Sequence, residues 1–222
     1  MDAQTIWDHT TAQRRALAGH LATVTAEQWE ADSMCAGWRV RDVAAHVIAA
    51  PQLDWGATLR LLPQARRGYN GMLLHDGKRR GSVPVGEILR QFEEWADVRR
   101  GPALVTRFEP LIDVLVHTQD ILRPLAIAHA MPPEAAAVAA DRARRLGILL
   151  GSRRIAGTVR MVANDVDWQR GSGPVVEAPM SELLMLCAGR PVPEDGLAGD
   201  GVPALRSLGR AIPQPAAGSG RA

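Results

Sequence analysis

Leu111-Ile112-Asp113-Val114-Leu115-Val116-His117-Thr118-Gln119-Asp120-Ile121-Leu122 is the most apolar stretch of the chain, yet Asp113 and His117 interrupt it. The apolar residues recur on almost every side of a helix over 109–122, and Arg123-Pro124 closes it. A helix apolar all round belongs in the middle of a helical bundle. Asp113 and His117 stand four residues apart, so they share one helical face. A carboxylate and an imidazole buried there cost on the order of several kcal/mol unless something pairs with them. Two arrangements meet that cost: a mutual hydrogen bond, or a metal ion held by both.

Working outward, a second helix from about Val40 carries His46 inside the apolar run Val43-Ala44-Ala45-His46-Val47-Ile48, and Pro51 kinks or ends it. A lone histidine in such a run is ordinarily a satisfied core residue. Two such helices change the reading, because bundle metal sites use an acid and a His at one-turn spacing from facing helices. His46, Asp113 and His117 supply three N/O ligands with coordination positions left open, the catalytic rather than the structural pattern for zinc. With no thiolate in the set, nickel, iron or manganese fits as well. A third helix, about 83–99, carries Ile88, Leu89, Phe92, Trp95 and Val98. The first, 3–23, places Ile6, Leu17, Leu21 and Val24 on an apolar stripe with Arg14 and Arg15 opposite. Residues 53–65 continue in helical style, whereas Tyr69-Asn70-Gly71 and Asp76-Gly77 mark 68–81 as a broken segment.

The pattern changes near residue 130. Glu134 to Leu150 is an Ala-rich helix; Ile155 to Val162 and Val166 to Trp168 predict strands with Asn164-Asp165 turning between them. Gly171-Ser172-Gly173-Pro174 turns into Val175-Val176, and 180–188 and 204–208 are helical again. The fold class is therefore α+β. A four-helix bundle over 1–130 precedes a small α/β domain over 131–212, and 213–222 is a disordered tail.

Composition narrows the function classes. The 222 residues are 46% hydrophobic and 23% charged, an ordinary globular balance. No stretch approaches the roughly 18 uncharged apolar residues of a membrane span, and the N-terminus lacks the basic and apolar regions of a secretory signal. Two cysteines, Cys35 and Cys187, form no framework, so the expectation is a cytoplasmic protein. The net charge of +2 comes from arginine, since Lys78 is the sole lysine, and it arises after residue 130. Arg142, Arg144, Arg145, Arg153, Arg154 and Arg160 form a local run with Asp141 as its one acid. That run reads as a solvated face or as an anion-binding edge. No recognisable reading element accompanies it, which argues against nucleic acid as a partner.

Gly37-Trp38-Arg39-Val40-Arg41-Asp42-Val43-Ala44-Ala45-His46 resembles the "GW-x-V-R-D-V-x-x-H" signature of the mycothiol-dependent maleylpyruvate isomerase family, within the DinB-like superfamily. Asp113 to Leu125 is similar to its "(E/D)-x-L-V-H-x-x-D-I-R-R-P-L" segment, with Ile121-Leu122-Arg123 replacing one of its two arginines. The resemblance implies a DinB-like bundle that holds a divalent metal through His46, Asp113 and His117, followed by a small sterol-carrier-like domain. It also implies mycothiol as a thiol cosubstrate, a small electrophilic or anionic substrate, and a homodimer as a common assembly. A metal lowers the pKa of a bound thiol, and the thiolate is the nucleophile. In an isomerase that thiolate adds to a conjugated double bond and leaves; in an S-transferase it stays. A hydrolase using the open position for water, and a binding module without turnover, remain the alternatives.

Two departures from the family pattern matter. Asp113 is shorter than the Glu of the isomerase, so its helix must lie closer to the centre. Arg39 stands where relatives carry Thr or Ser, which leaves Asp42 alone to serve the helix start. Asp120 is either an acid acting behind the ligands or a surface acid facing Arg123. Cys35 reads as a buried loop thiol and Trp38 as packing beneath the helix start. His75 is exposed, and Arg79 and Arg80 are the candidates for meeting an acidic thiol or substrate.

Overall fold

A computed structural model of the chain describes residues 1–53, 56, 68–102 and 105–213. Its contacts divide the chain into two units, Met1–Ala130 and Met131–Ala222. The helical reading of 53–65 lies, apart from residues 53 and 56, outside the described residues, and so does the tail beyond residue 213.

In the first unit, α1 (Ala3–Leu21) starts at Asp2, whose carboxylate accepts the Thr5 N–H at 2.8 Å. The short α2 (Ala26–Glu30) opens with a reciprocal capping box between Thr25 and Gln28. At the start of α3 (Val40–Ala49), Asp42 accepts the Arg39 backbone N–H at 3.0 Å and grips the Arg39 guanidinium through both oxygens. Asp42 thus does alone what a hydroxyl would have shared. One 3-10 turn, Ala50–Gln52, holds Pro51 and ends the helix. Then come α4 (Gly68–Gly81), α5 (Val85–Trp95) and α6 (Phe108–Leu122). Helix α3 packs against α4, α5 and α6, and α1 packs against α5 and α6. Leu17, Leu21, Val43, Val47, Ile88, Phe92, Val114 and Ile121 fill the space between them.

The segment 68–81 corrects the sequence reading: it is one helix, not a broken loop. Gly77 and Gly81 are there for contact rather than for a turn. A Cβ on Gly77 would stand 2.2 Å from the Trp38 ring, and one on Gly81 2.8 Å from the Asp42 Cα. The two glycines, one turn apart, let α4 lie directly on α3 and the loop before it.

In the second unit, α7 (Pro133–Arg145) buries Ala135, Ala136, Ala139, Ala140 and Ala143 completely, and this small-residue face packs on α9 (Met180–Cys187). Between them in sequence lie α8 (Arg153–Thr158), β1 (Arg160–Ala163), β2 (Gln169–Gly171) and β3 (Val175–Ala178). The sheet order is β2-β1-β3, with β1 antiparallel to β2 and parallel to β3. Beyond α9, β4 (Val192–Pro193) and β5 (Ala211–Ile212) pair in parallel across α10 (Val202–Ser207).

Two strand boundaries need correction. Ile155 to Thr158 is helical and the strand begins at Arg160; a short apolar run does not distinguish a strand from a buried helix end. The partner strand is Gln169–Gly171 rather than 166–168. Gly171 sits there at φ 94, with the Val159 carbonyl oxygen 2.3 Å from where a Cβ would be. No helix among the described residues is long and apolar enough to cross a membrane.

Candidate metal centre

Helices α3 and α6 bring His46, Asp113 and His117 together. Asp113 Oδ1 lies 3.4 Å from His46 Nε2 and 3.3 Å from His117 Nε2, and one ligand atom from each residue lies within 4.8 Å of the others. The two imidazoles stand edge to face, centroids 5.2 Å apart at 89°. The three side chains are 15–25% exposed, so the corner opens to solvent. Oxygen and nitrogen atoms bound to one tetrahedral zinc at about 2.0–2.2 Å stand about 3.3–3.6 Å apart. The Asp113–His separations match that spacing and exceed a good hydrogen bond, so the donor set fits a divalent cation better than a closed Asp–His pair.

The far side of His117 is fixed as well. Its Nδ1–H donates to Asp120 Oδ2 at 2.8 Å, which directs Nε2 toward Asp113. A carboxylate behind a ligating histidine sets the tautomer and raises the basicity of the other nitrogen. Asp120 is fully buried, not a surface acid. Arg123 Nε donates to Gln119 Oε1 at 2.8 Å.

Electrostatics follow from this layout. Burial opposes ionisation of Asp113, yet the His46 and His117 rings more than offset it and hold the carboxyl well below its ordinary range. Burial likewise disfavours a charged His117, and Asp113, Asp120 and Cys35 reverse that and raise its pKa. A metal ion entering the corner therefore displaces a proton.

Sequence reasoning missed two neighbours. The Cys35 thiol donates to Asp120 Oδ2 at 3.1 Å and lies 3.6 Å from His117 Nδ1, so it backs the same carboxylate. No local pattern marks this, because 85 residues separate Cys35 from Asp120. Arg14, assigned to the solvent face of α1, is 1% exposed, whereas Arg15 does face solvent and pairs with Asp97. The spacing of Arg14, Leu17 and Leu21 at i, i+3 and i+7 was the available signal.

Trp38 packs on the core and sets its ring edge to face with His46, centroids 5.3 Å apart. His75 is exposed. Arg79 and Arg80 are both drawn to Asp76, at 2.6 and 2.7 Å. In the second unit, Arg144, Arg145 and Arg170 line a hollow of about 290 Å³ with Asp141, which accepts from Arg170 at 2.8 Å. Arg153, Arg154 and Arg210 line another of about 520 Å³.

A family model described as the mycothiol maleylpyruvate isomerase N-terminal domain matches residues 10–166, which include every residue of this corner. The chain belongs to that family. Its fold is similar to a crystal structure of the mycothiol-dependent maleylpyruvate isomerase (TM-score 0.63, 14% identity, 97% of this chain and 96% of that one). It is also similar to a histidine-to-alanine mutant of the same enzyme (TM-score 0.60, 14% identity, the same coverage). Comparison with the curated proteins returns no match. The family match runs from α1 through the ligand corner and past Ala130 into the second unit.

Proposed function

We propose that this protein is a divalent-metal-dependent and thiol-dependent isomerase or S-transferase, with mycothiol as the thiol and a small electrophile as the substrate. The observation that carries the proposal is the convergence of His46 Nε2, Asp113 Oδ1 and His117 Nε2 at separations suited to one cation, with Asp120 fixing the His117 tautomer. When bound, a divalent cation would supply the Lewis acidity that turns a thiol into a thiolate near neutral pH. His46, Asp113 and His117 would hold it. Asp120 keeps the Nδ1 proton on His117, and Cys35 keeps Asp120 turned toward that proton. Trp38 walls the His46 side with an apolar ring. Family membership supports the thiol and the reaction class.

The same reading takes 1–130 as a DinB-like four-helix bundle that binds the metal and 131–212 as a small sterol-carrier-like α/β domain. It takes the assembly as a homodimer working in the cytoplasm without nucleic acid or membrane.

Metal analysis of the purified protein after zinc loading tests the core of it. The expected result is about one zinc per chain, lost in His117→Ala, with mycothiol-dependent turnover of an electrophile lost alongside. A chain that retains no stoichiometric metal under zinc or nickel loading overturns the reading.

A further inference from the structure

The arginine run of the second unit, which the metal chemistry leaves unused, converges on a hollow. From Arg142 to Arg160 the chain carries six arginines and no acid. Arg153 and Arg154, at the start of α8, and Arg210, just before β5, line a cavity of about 520 Å³. Ile148, Ile155 and Leu208 line it with them. All six residues belong to the Met131–Ala222 unit.

What sets these arginines apart is their lack of carboxylates. Elsewhere exposed arginines meet an acid: Arg15 pairs with Asp97, Arg90 with Glu87, and Arg99 with Asp8. Among the described residues, no carboxylate pairs with Arg153, Arg154 or Arg210, and none lines the hollow. Asp141, the acid at the head of the run, is taken by Arg170 at 2.8 Å and by Trp168 Nε1 at 3.1 Å. Arg210 is nonetheless held in place. Its Nη1 donates to the Gly189 carbonyl, and its Nη2 donates to the Gly151 carbonyl at 3.1 Å. Two neutral acceptors fix the guanidinium and leave its charge uncancelled.

Three guanidinium charges around one hollow repel one another and raise the local potential. A dianion relieves that repulsion further than a single carboxylate does. A phosphate monoester carries about −1.5 to −2 near neutral pH and offers three acceptor oxygens, which suit guanidinium donors. The hollow is not purely polar, however. Ile148 is 78% exposed, the most exposed large apolar side chain among the described residues. An apolar wall beside a cationic rim fits an amphiphilic ligand better than a bare ion, and the volume is that of a small-molecule pocket.

We propose that this hollow binds a small phosphate monoester with an apolar body: Arg153, Arg154 and Arg210 receive the phosphoryl group, and Ile148 and Leu208 meet the apolar part. The site lies wholly within the second unit and stands or falls independently of the metal corner. It gives that unit a binding role of its own.

Calorimetric titration with phenyl phosphate tests the site, with inorganic phosphate, benzoate and phenol as controls. Phenyl phosphate should bind saturably at millimolar concentration, more tightly than inorganic phosphate or benzoate, and phenol should not bind. The double variant Arg153→Gln, Arg154→Gln should weaken phenyl phosphate about tenfold, because exposed charge pairs are individually weak. Arg210→Gln should weaken it as well; since Arg210 also ties two loops together, the double variant carries the test should Arg210→Gln fail to fold. Ile148→Ser should weaken phenyl phosphate about threefold and leave inorganic phosphate unchanged. Arg90→Gln, which removes an arginine already paired with Glu87, should change neither. Benzoate bound as tightly as phenyl phosphate, equal binding by wild type and the double variant, or no saturable binding at millimolar concentration each overturns the site. So does sedimentation of the protein with phosphatidylglycerol vesicles that is lost in Ile148→Ser, which would assign the patch to a membrane surface. A dimer that dissociates in Ile148→Ser also overturns it, by assigning the patch to a second copy of the chain.

Discussion

The first unit contains two histidine pairs of nearly identical ring geometry and opposite chemistry. His46 and His117 meet edge to face at 5.2 Å and 89°; His20 and His129 meet at 5.2 Å and 83°. Their partners differ. His117 lies between two carboxylates, Asp113 and Asp120. His129 Nδ1 stands 3.1 Å from His20 Nε2, and its Nε2 stands 2.8 Å from the Gln13 side-chain oxygen. With carboxylates, the His117 pKa rises; with burial and a second imidazole alone, the His129 pKa falls. Two rings close together are therefore not a site in themselves. The acids around them decide whether the pair collects positive charge or rejects it.

Removing those acids should break the contrast most severely. Asp113→Ala removes the carboxylate between His46 and His117 and leaves the pair with Asp120 alone behind His117. Its zinc affinity should fall by more than the roughly 10- to 100-fold that a partner behind a ligand is worth, as read by competition with a chromophoric chelator. An unchanged affinity would remove Asp113 from the ligand set. Asp120→Asn keeps the shape and removes the charge behind His117, and should cost about 10- to 100-fold by the same assay. Retention of full affinity there would mean that the His117 tautomer is held by something else.

A packing test comes next. Gly77→Ala drives a Cβ into the Trp38 ring, which itself abuts His46. The variant should lose about 1–3 kcal/mol of stability in urea unfolding, the usual cost of overpacking. A neutral result would show that Trp38 moves aside freely.

The smallest effect concerns the control pair. The folded-state pKa of His129 lies below its ordinary 6.5, so the unfolded chain binds the proton more readily. That contribution to stability is present above about pH 6.5 and is lost as pH falls through the folded value. Melting temperatures between pH 8 and 5 should show a flatter acid limb in His129→Gln. Gln13→Glu should place a carboxylate beside His129 and reverse the direction of its shift, visible in the titration of the ring by NMR. Failure of that reversal would mean that burial, not the missing acid, governs the second pair.

Legibility in the sequence followed how local each signal was. Asp113 and His117 one turn apart in α6, and His46 within the apolar run of α3, were readable because helical periodicity alone places them on faces. Asp42 at the start of α3 was readable for the same reason. Gly77 was misread because a glycine after aspartate signals a turn locally; that its missing Cβ makes room for Trp38 depends on residues nearly forty positions away. Ile155 was misread because four residues carry too little period to separate helix from strand.

The sequence by itself determined an α+β chain, the family, and the pairing of an acid and a histidine on one helical face. Those follow from residue type and spacing, which act over a turn or two of chain. Only the tertiary structure decided that His46 meets that face, that Cys35 stands behind His117 and Asp120, and that Arg14 is buried against the Val98 carbonyl. Each of these joins residues that the sequence separates by tens of positions. Their energies come from burial and close electrostatic contact, which exist only once the helices have packed.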